Sequence, residues 1–166
     1  LRWISWGLET ASPSLLRKMS KGISAEHAER CLRISHKCGI WNHVFVIIGF
    51  PGETEEDVTE TINFLTRNAE YIDSIGIGQF RLEAGSDIHK RPEAYGVRVL
   101  PPEDDYIYQI LPFEDIATGR DTDEEAKERY ERIRLAWHKL HFWETNFIGL
   151  DVLQRLRTLW DGRKGK

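Results

Sequence analysis

Hydrophobic positions change their period several times along this chain, and each change predicts a new element. Residues 43–48, His43-Val44-Phe45-Val46-Ile47-Ile48, form a continuous β-branched apolar run, the pattern of a strand buried on both faces. Phe50-Pro51-Gly52-Glu53 follows and predicts a type II turn, with proline presetting the second position and glycine supplying the positive φ of the third. Thr54 can then cap a helix by accepting from the Asp57 backbone N–H, and Glu55, Glu56 and Asp57 load its first turn with negative charge. Strand, tight turn and acidic helix start describe the top of a β/α unit, where that class of enzyme keeps its chemistry.

The flanking segments repeat the pattern. Residues 2–8 read as a short strand. Ser12 and Pro13 open a short helix over 13–19 that ends at Gly22. Ser24 caps a second helix whose small or apolar positions Ala28, Cys31, Leu32, Ile34, Ser35 and Cys38 recur at helical spacing up to Gly39. After the central strand, Val58, Ile62, Phe64 and Leu65 mark another helix, and residues 74–82 a third strand, whose glycines suggest a backbone closely approached. Crossovers of this length between strands require a parallel sheet, connected right-handedly.

Residues 83–119 break the rhythm. Four of the six prolines, Pro92, Pro101, Pro102 and Pro112, fall there, and the pattern is that of a long loop with short elements, either a substrate wall or a variable surface excursion. Thr122 and Glu125 form a capping-box pattern ahead of a helix. Its apolar face is Ala126, Tyr130, Ile133, Trp137 and Leu140, and Lys127, Glu128, Arg129, Glu131, Arg132 and Arg134 are expected on the solvated face. Asn146 opens a last helix with Leu150, Leu153, Leu156 and Trp160 inward. The aromatic and histidine cluster Trp137, His138, His141, Phe142 and Trp143 is expected to pack rather than bind. The division expected is residues 1–100 for the β/α unit and 101–166 for a loop and helical extension.

Composition narrows the function. A net charge of −4 over 166 residues leaves no electrostatic footprint for nucleic acid. No apolar run reaches spanning length, so no membrane is expected. Cys31 and Cys38 lie two turns apart on one helix, too far to bridge. Free thiols fit a cytoplasmic protein. The first residues, Leu1-Arg2-Trp3-Ile4, enter a strand pattern at once without Met, as expected of a piece of a longer polypeptide. No histidine has metal-ligand spacing.

Gly7-Leu8-Glu9-Thr10-Ala11-Ser12, then residues 15–22, then Ile47-Ile48-Gly49-Phe50-Pro51-Gly52-Glu53-Thr54, resemble the second half of a radical S-adenosylmethionine (SAM) domain. The closest look is to the group with methylthiotransferases, coproporphyrinogen oxidase relatives and cobalamin-binding radical enzymes. Phe80-Arg81-Leu82-Glu83-Ala84-Gly85-Ser86 resembles the sixth barrel strand of the cobalamin-type members. The implied fold is α/β, a parallel βαβαβ half of a partial TIM-like (β/α)6 barrel with a C-terminal helical extension. The implied cofactors are SAM, a 4Fe–4S cluster in the parent protein and, in one branch, cobalamin. The implied activity is reductive cleavage of SAM to a 5′-deoxyadenosyl radical. The family's cluster motif, C-x3-C-x2-C, is absent from this sequence. The chain alone is therefore expected to be inactive and to need the missing N-terminal half of the domain.

The resemblance also assigns candidate residues. Glu9, at the end of the first strand, would accept from ribose hydroxyls or the SAM ammonium; helix-start electrostatics explain it without a ligand. Arg17 would meet the SAM carboxylate or is a surface arginine. Gly49 and Gly52 would admit the adenine against bare backbone, with Ile47 or Ile48 as its apolar wall. Arg81 is a carboxylate or substrate anchor if its face is the barrel interior; otherwise Phe80 points inward. Glu53 is explained by the helix start alone. A non-catalytic α/β module that only binds a ligand or partner is the alternative; an unrelated parallel α/β protein would need every match to coincide. A half barrel also exposes its first strand and inner face, predicting self-association or cover from the C-terminal helices.

Overall fold

The computed structural model describes residues 1–101, 110–116 and 122–138, with the side chains of 122–125 and 138 outside the description. Three strands, β1 (Trp3–Glu9), β2 (Trp41–Ile48) and β3 (Ser74–Gln79), form a parallel sheet in the order β1-β2-β3. The first crossover carries α1 (Pro13–Lys18) and α2 (Ala25–Lys37), and the second α3 (Glu55–Arg67). This is the expected α/β arrangement, a parallel βαβαβ sheet with helical crossovers.

The caps form as the sequence dictates. Ser12 accepts from Leu15 N–H and Ser24 from His27 N–H. Thr54 and Asp57 complete a reciprocal capping box at the start of α3.

Alternation along β2 separates two faces. Asn42, Val44, Val46 and Ile48 face the helices, and the Asn42 amide anchors that side by donating to Leu32 O and Tyr71 O. Val44, Val46, Ile48, Leu8, Ile75, Val58 and Phe64 form the main core, with Val44 and Phe64 at 0% exposure. Each such side chain contributes about 1.5–3 kcal/mol on burial. His43, Phe45 and Ile47 take the other face, where Trp3 stacks on His43 at 6.1 Å and Phe45 covers Gly76 and Gly78.

On α2, only Ala25, Leu32 and Ser35 are fully buried; Ile34 and Cys38 are exposed, because the stripe that meets the sheet is narrower than the apolar pattern.

The third strand stops at Gln79 instead of reaching residue 82. Leu82–Glu83 (β4) leaves the parallel sheet and pairs antiparallel with Ile110–Leu111 (β6). Between them lie α4 (Asp87–Lys90), α5 (Pro92–Tyr95) and β5 (Val97–Val99), and β5 pairs antiparallel with β7 (Phe113–Asp115). The described part of the proline-rich stretch is thus a loop with short elements, packed through Phe50, Leu82, Ile88 and Val97 into a second core.

Helix α6 (Thr122–His138) packs on α3 through Ala126, Ile133 and Trp137, joining the helix-side core. Arg129 departs from expectation. It is 5% exposed, because it follows Ala126 by three positions and precedes Ile133 by four, which sets it on the buried stripe. The expected capping pair Thr122 and Glu125, Leu140, the cluster from His138 to Trp143 and the helix from Asn146 lie outside the described residues or side chains. No described helix is long and apolar enough to cross a membrane.

Candidate cofactor site at the strand ends

Strand β1 ends in a bulge. Gly7 pairs with Phe45 and Glu9 with Val46, so one extra residue enters β1 between them. Glu9 itself adopts φ +65°, a left-handed conformation that costs a non-glycine residue about 1–3 kcal/mol. The bend lays the Glu9 carboxylate over Gly7. A Cβ at position 7 would lie 2.8 Å from Glu9 Oε1, so only glycine permits this placement. Lys21 Nζ donates to Oε1 at 3.0 Å. The other oxygen, Oε2, is buried and has no hydrogen-bond partner. Helix-start electrostatics do not account for this geometry: Ser12 supplies the α1 cap, and Glu9 folds back over the sheet.

The turn after β2 takes the expected form. Glu53 N–H donates to Phe50 O at 2.9 Å, and Gly52 has φ +77°. Glu53 does more than load a helix start. It accepts from Gly49 N–H at 2.8 Å and pairs with Arg129 at 3.1 Å, with both side chains nearly inaccessible at 4% and 6%. Burial pushes the Glu53 carboxyl up to about 7, against the opposing pull of Gly49 N–H and Arg129. Arg129 also donates to Glu55 Oε1 at 3.1 Å, and Arg132 joins the same carboxylate. Helix α6 therefore clamps the turn.

Gly52 N–H is engaged as well, donating to Asp115 Oδ2 of β7 at 2.8 Å. Both turn glycines thus have their N–H groups satisfied within the protein. Ile48 faces the helix-side core at 2% exposure, so its side chain lies on the opposite side of the sheet from Ile47. The apolar wall offered to the inner face is Ile47, with Phe45.

Asp57 ties α1 to α3. It accepts from Ser12 Oγ, from Ser14 Oγ at 2.8 Å, and from Thr54 N and Oγ1 at 2.8 and 2.7 Å. Burial would raise this carboxyl, but the hydrogen bonds from Ser12, Thr54 and Ser14 outweigh it and hold it below its ordinary value.

Beyond the ends of β2 and β3 lies a cleft of about 310 Å³ lined by Gly49, Gln79, Phe80, Arg81, Leu82 and residues 110–113. The choice between Arg81 and Phe80 as the inward residue does not arise. The chain leaves the sheet at Phe80, whose N–H still donates to Ile48 O at 2.8 Å, and both side chains line the cleft.

The structure therefore brings Gly49 and Arg81 together. Arg17, exposed on α1, shares a separate cleft with Gly52, Ser14 and Thr54. Glu9 stands at the end of β1. Sequence reasoning did not find Lys21, Arg129 or Asp115 as partners of these carboxylates and glycines. For Arg129 a signal was available, since it shares the helical stripe of Ala126 and Ile133.

A parallel β/α unit with its polar groups gathered at the strand ends defines the class: an α/β protein whose parallel sheet is consistent with part of a barrel. The family follows from comparison. Residues 1–65 match the family model described as the radical SAM superfamily. An uncharacterized methyltransferase of Pyrococcus horikoshii is 38% identical over 61 residues, 37% of this chain and 13% of its own length. The ribosomal protein uS12 methylthiotransferase RimO of Hahella chejuensis is 31% identical over 101 residues, 56% of this chain and 21% of that protein. RimO of Acidothermus cellulolyticus is 37% identical over 87 residues, 50% of this chain and 18% of that protein. The chain spans about a fifth or less of the length of these relatives. The family is one that works with SAM and a 4Fe–4S cluster.

Proposed function

We propose that residues 1–100 are the C-terminal half of a radical SAM barrel and hold the adenosyl end of SAM at the ends of β1–β3. The observation that carries this is the Glu9 carboxylate, held in a strained backbone position with Oε2 buried and unpartnered. A buried carboxylate oxygen without a donor is costly, and a ribose hydroxyl or the SAM ammonium supplies that donor. Glu9 would accept this hydrogen bond, Ile47 and Phe45 would wall the base, and Gly49 would border it with bare backbone. Arg17 would reach the SAM carboxylate from α1. SAM, once bound, supplies the adenosyl radical of the family's hydrogen abstraction.

The residues do not fit the iron–sulfur cluster. Cys31 and Cys38 lie at α2 and its C-terminal cap, and no group of three His, Cys, Asp or Glu among the described residues could hold a metal ion. The cluster ligands would lie in the N-terminal half of the parent's domain, whose strand would pair with the edge of β1 that no described strand occupies, and the isolated chain would self-associate through that edge. A second reading, a ligand- or partner-binding module that retains the fold, is favoured by Gly49 and Gly52, whose N–H groups are already bonded within the protein.

The test is anaerobic reconstitution of the full-length polypeptide carrying this chain. Formation of 5′-deoxyadenosine is expected, with Glu9→Gln raising the KM for SAM at least about tenfold, or ~1.4 kcal/mol. A cluster-loaded protein that forms none defeats the enzymatic reading in favour of the module. An unchanged KM in E9Q defeats the assignment of Glu9.

A further inference from the structure

We propose that the cleft beyond β2 and β3 binds a small molecule with an apolar body and one carboxylate, and that Arg81 is the residue that selects it. That this molecule is the substrate rests on the radical SAM reading above; that the cleft binds it does not.

Arg81 is exposed at the cleft, and no hydrogen bond or ion pair joins it to another described residue. Arg91, Arg98 and Arg33, also exposed, are held by Asp87, Glu114 and Glu29, and Arg17 lies at a separate cleft on α1. A guanidinium offers a planar fork of donors that matches a carboxylate in bidentate fashion.

The remaining wall is apolar. Phe80 is held edge-on to Phe50 at 5.2 Å and to Phe113 at 5.6 Å, which fixes its ring before any ligand arrives. Ile110 faces it from β6 and is 42% exposed. A volume of about 310 Å³ lies at the small end of ligand pockets. One cation among the described lining residues balances a carboxylate monoanion better than a phosphate dianion.

The position suits a reactant. The cleft opens at the C-terminal ends of two parallel strands and shares Gly49 with the turn after β2. A molecule anchored there by Arg81 would lie beside whatever the turn and Glu9 hold.

The test uses the full-length polypeptide, titrated by NMR with 4-phenylbutyrate, its uncharged amide 4-phenylbutyramide and inorganic phosphate. The carboxylate should bind at least tenfold more tightly than the amide. Arg81→Gln should bring the two within twofold of each other, and Arg81→Lys should fall between. Equal binding of carboxylate and amide to the wild type overturns the proposal, as does an R81Q variant that keeps the difference. Phosphate binding as tightly as 4-phenylbutyrate overturns the carboxylate class. SAM affinity, measured on the same variants, separates the two readings. Glu9→Gln should weaken SAM and leave the 4-phenylbutyrate titration within twofold. An R81Q protein that loses SAM and keeps 4-phenylbutyrate would assign Arg81 to the cofactor and sink the proposal.

Discussion

Removing Arg129 tests the buried pair that joins α6 to the turn. Glu53 is raised from an ordinary 4.5 to about 7. Between those values the native state holds a proton that the unfolded chain releases. Stability from this group is therefore fully present below pH 4.5 and is lost as pH rises to about 7, a decline of roughly 3 kcal/mol at 1.36 kcal/mol per unit. Above pH 7 wild-type Glu53 is ionised and paired, and the decline stops. In Arg129→Met the carboxyl loses its closest cation and its pKa rises further, so the decline continues past pH 7. At pH 6 Glu53 is protonated in both proteins. The variant then loses the guanidinium contacts, among them those to Glu53 O and Glu55, at a cost of about 2 kcal/mol. Each pH unit above 7 should add about 1.4 kcal/mol until the variant's own carboxyl ionises. Urea unfolding followed by tryptophan fluorescence from pH 6 to 9 reads this difference, and other titrating groups cancel between the two proteins. Parallel curves for wild type and R129M across that range would refute the reasoning. Absence of the added decline above pH 7 in Glu53→Gln/Arg129→Met would support it, since no carboxyl remains there to titrate.

Three further outcomes are expected. Asp57→Asn should cost about 2–3 kcal/mol, because an amide cannot accept all the bonds from Ser12, Ser14 and Thr54. The Asp57 carboxyl is held low, so its stabilisation is present above the ordinary value and lost as pH falls below it; acid unfolding of D57N should lack that component. Glu9→Gly should relieve the positive φ and raise stability by about 1 kcal/mol in thermal unfolding while weakening SAM, and a loss of stability would contradict the strain. Gly76→Ala should cost about 1–3 kcal/mol, since its Cβ would lie 2.9 Å from the Phe45 ring and 3.0 Å from His43 Nε2. Phe45→Leu in the same chain should recover part of that loss in chemical denaturation, and no recovery would place the strain elsewhere.

The sheet was legible because its signals are local. A β-branched run, Pro-Gly at the turn and hydroxyl caps at Ser12, Ser24 and Thr54 act within a few residues, and each forms as its chemistry requires. The end of β3 was not legible. Phe80, Arg81 and Leu82 continue an alternating pattern, yet Leu82 finds Leu111 as its partner, twenty-nine positions away. Periodicity reports which residues prefer burial and says nothing of which neighbour buries them.

The two glutamates show the same limit at the candidate site. Glu9 and Glu53 both stand near strand ends and ahead of helices, and local electrostatics offers the same account of each. The structure separates them by what arrives from elsewhere. Arg129, seventy-six positions away, and Gly49 N–H occupy the Glu53 carboxylate, which makes it a fastening for α6. Glu9 receives only Lys21, on one oxygen, and keeps the other unpartnered in a strained backbone position. Strain and an unmet acceptor at one residue are hard to maintain unless something outside the described fold completes them. That asymmetry supports the proposal that Glu9, at the end of β1, is the ligand-facing carboxylate. The turn after β2, whose sequence stands out more, then serves mainly as its rigid neighbour.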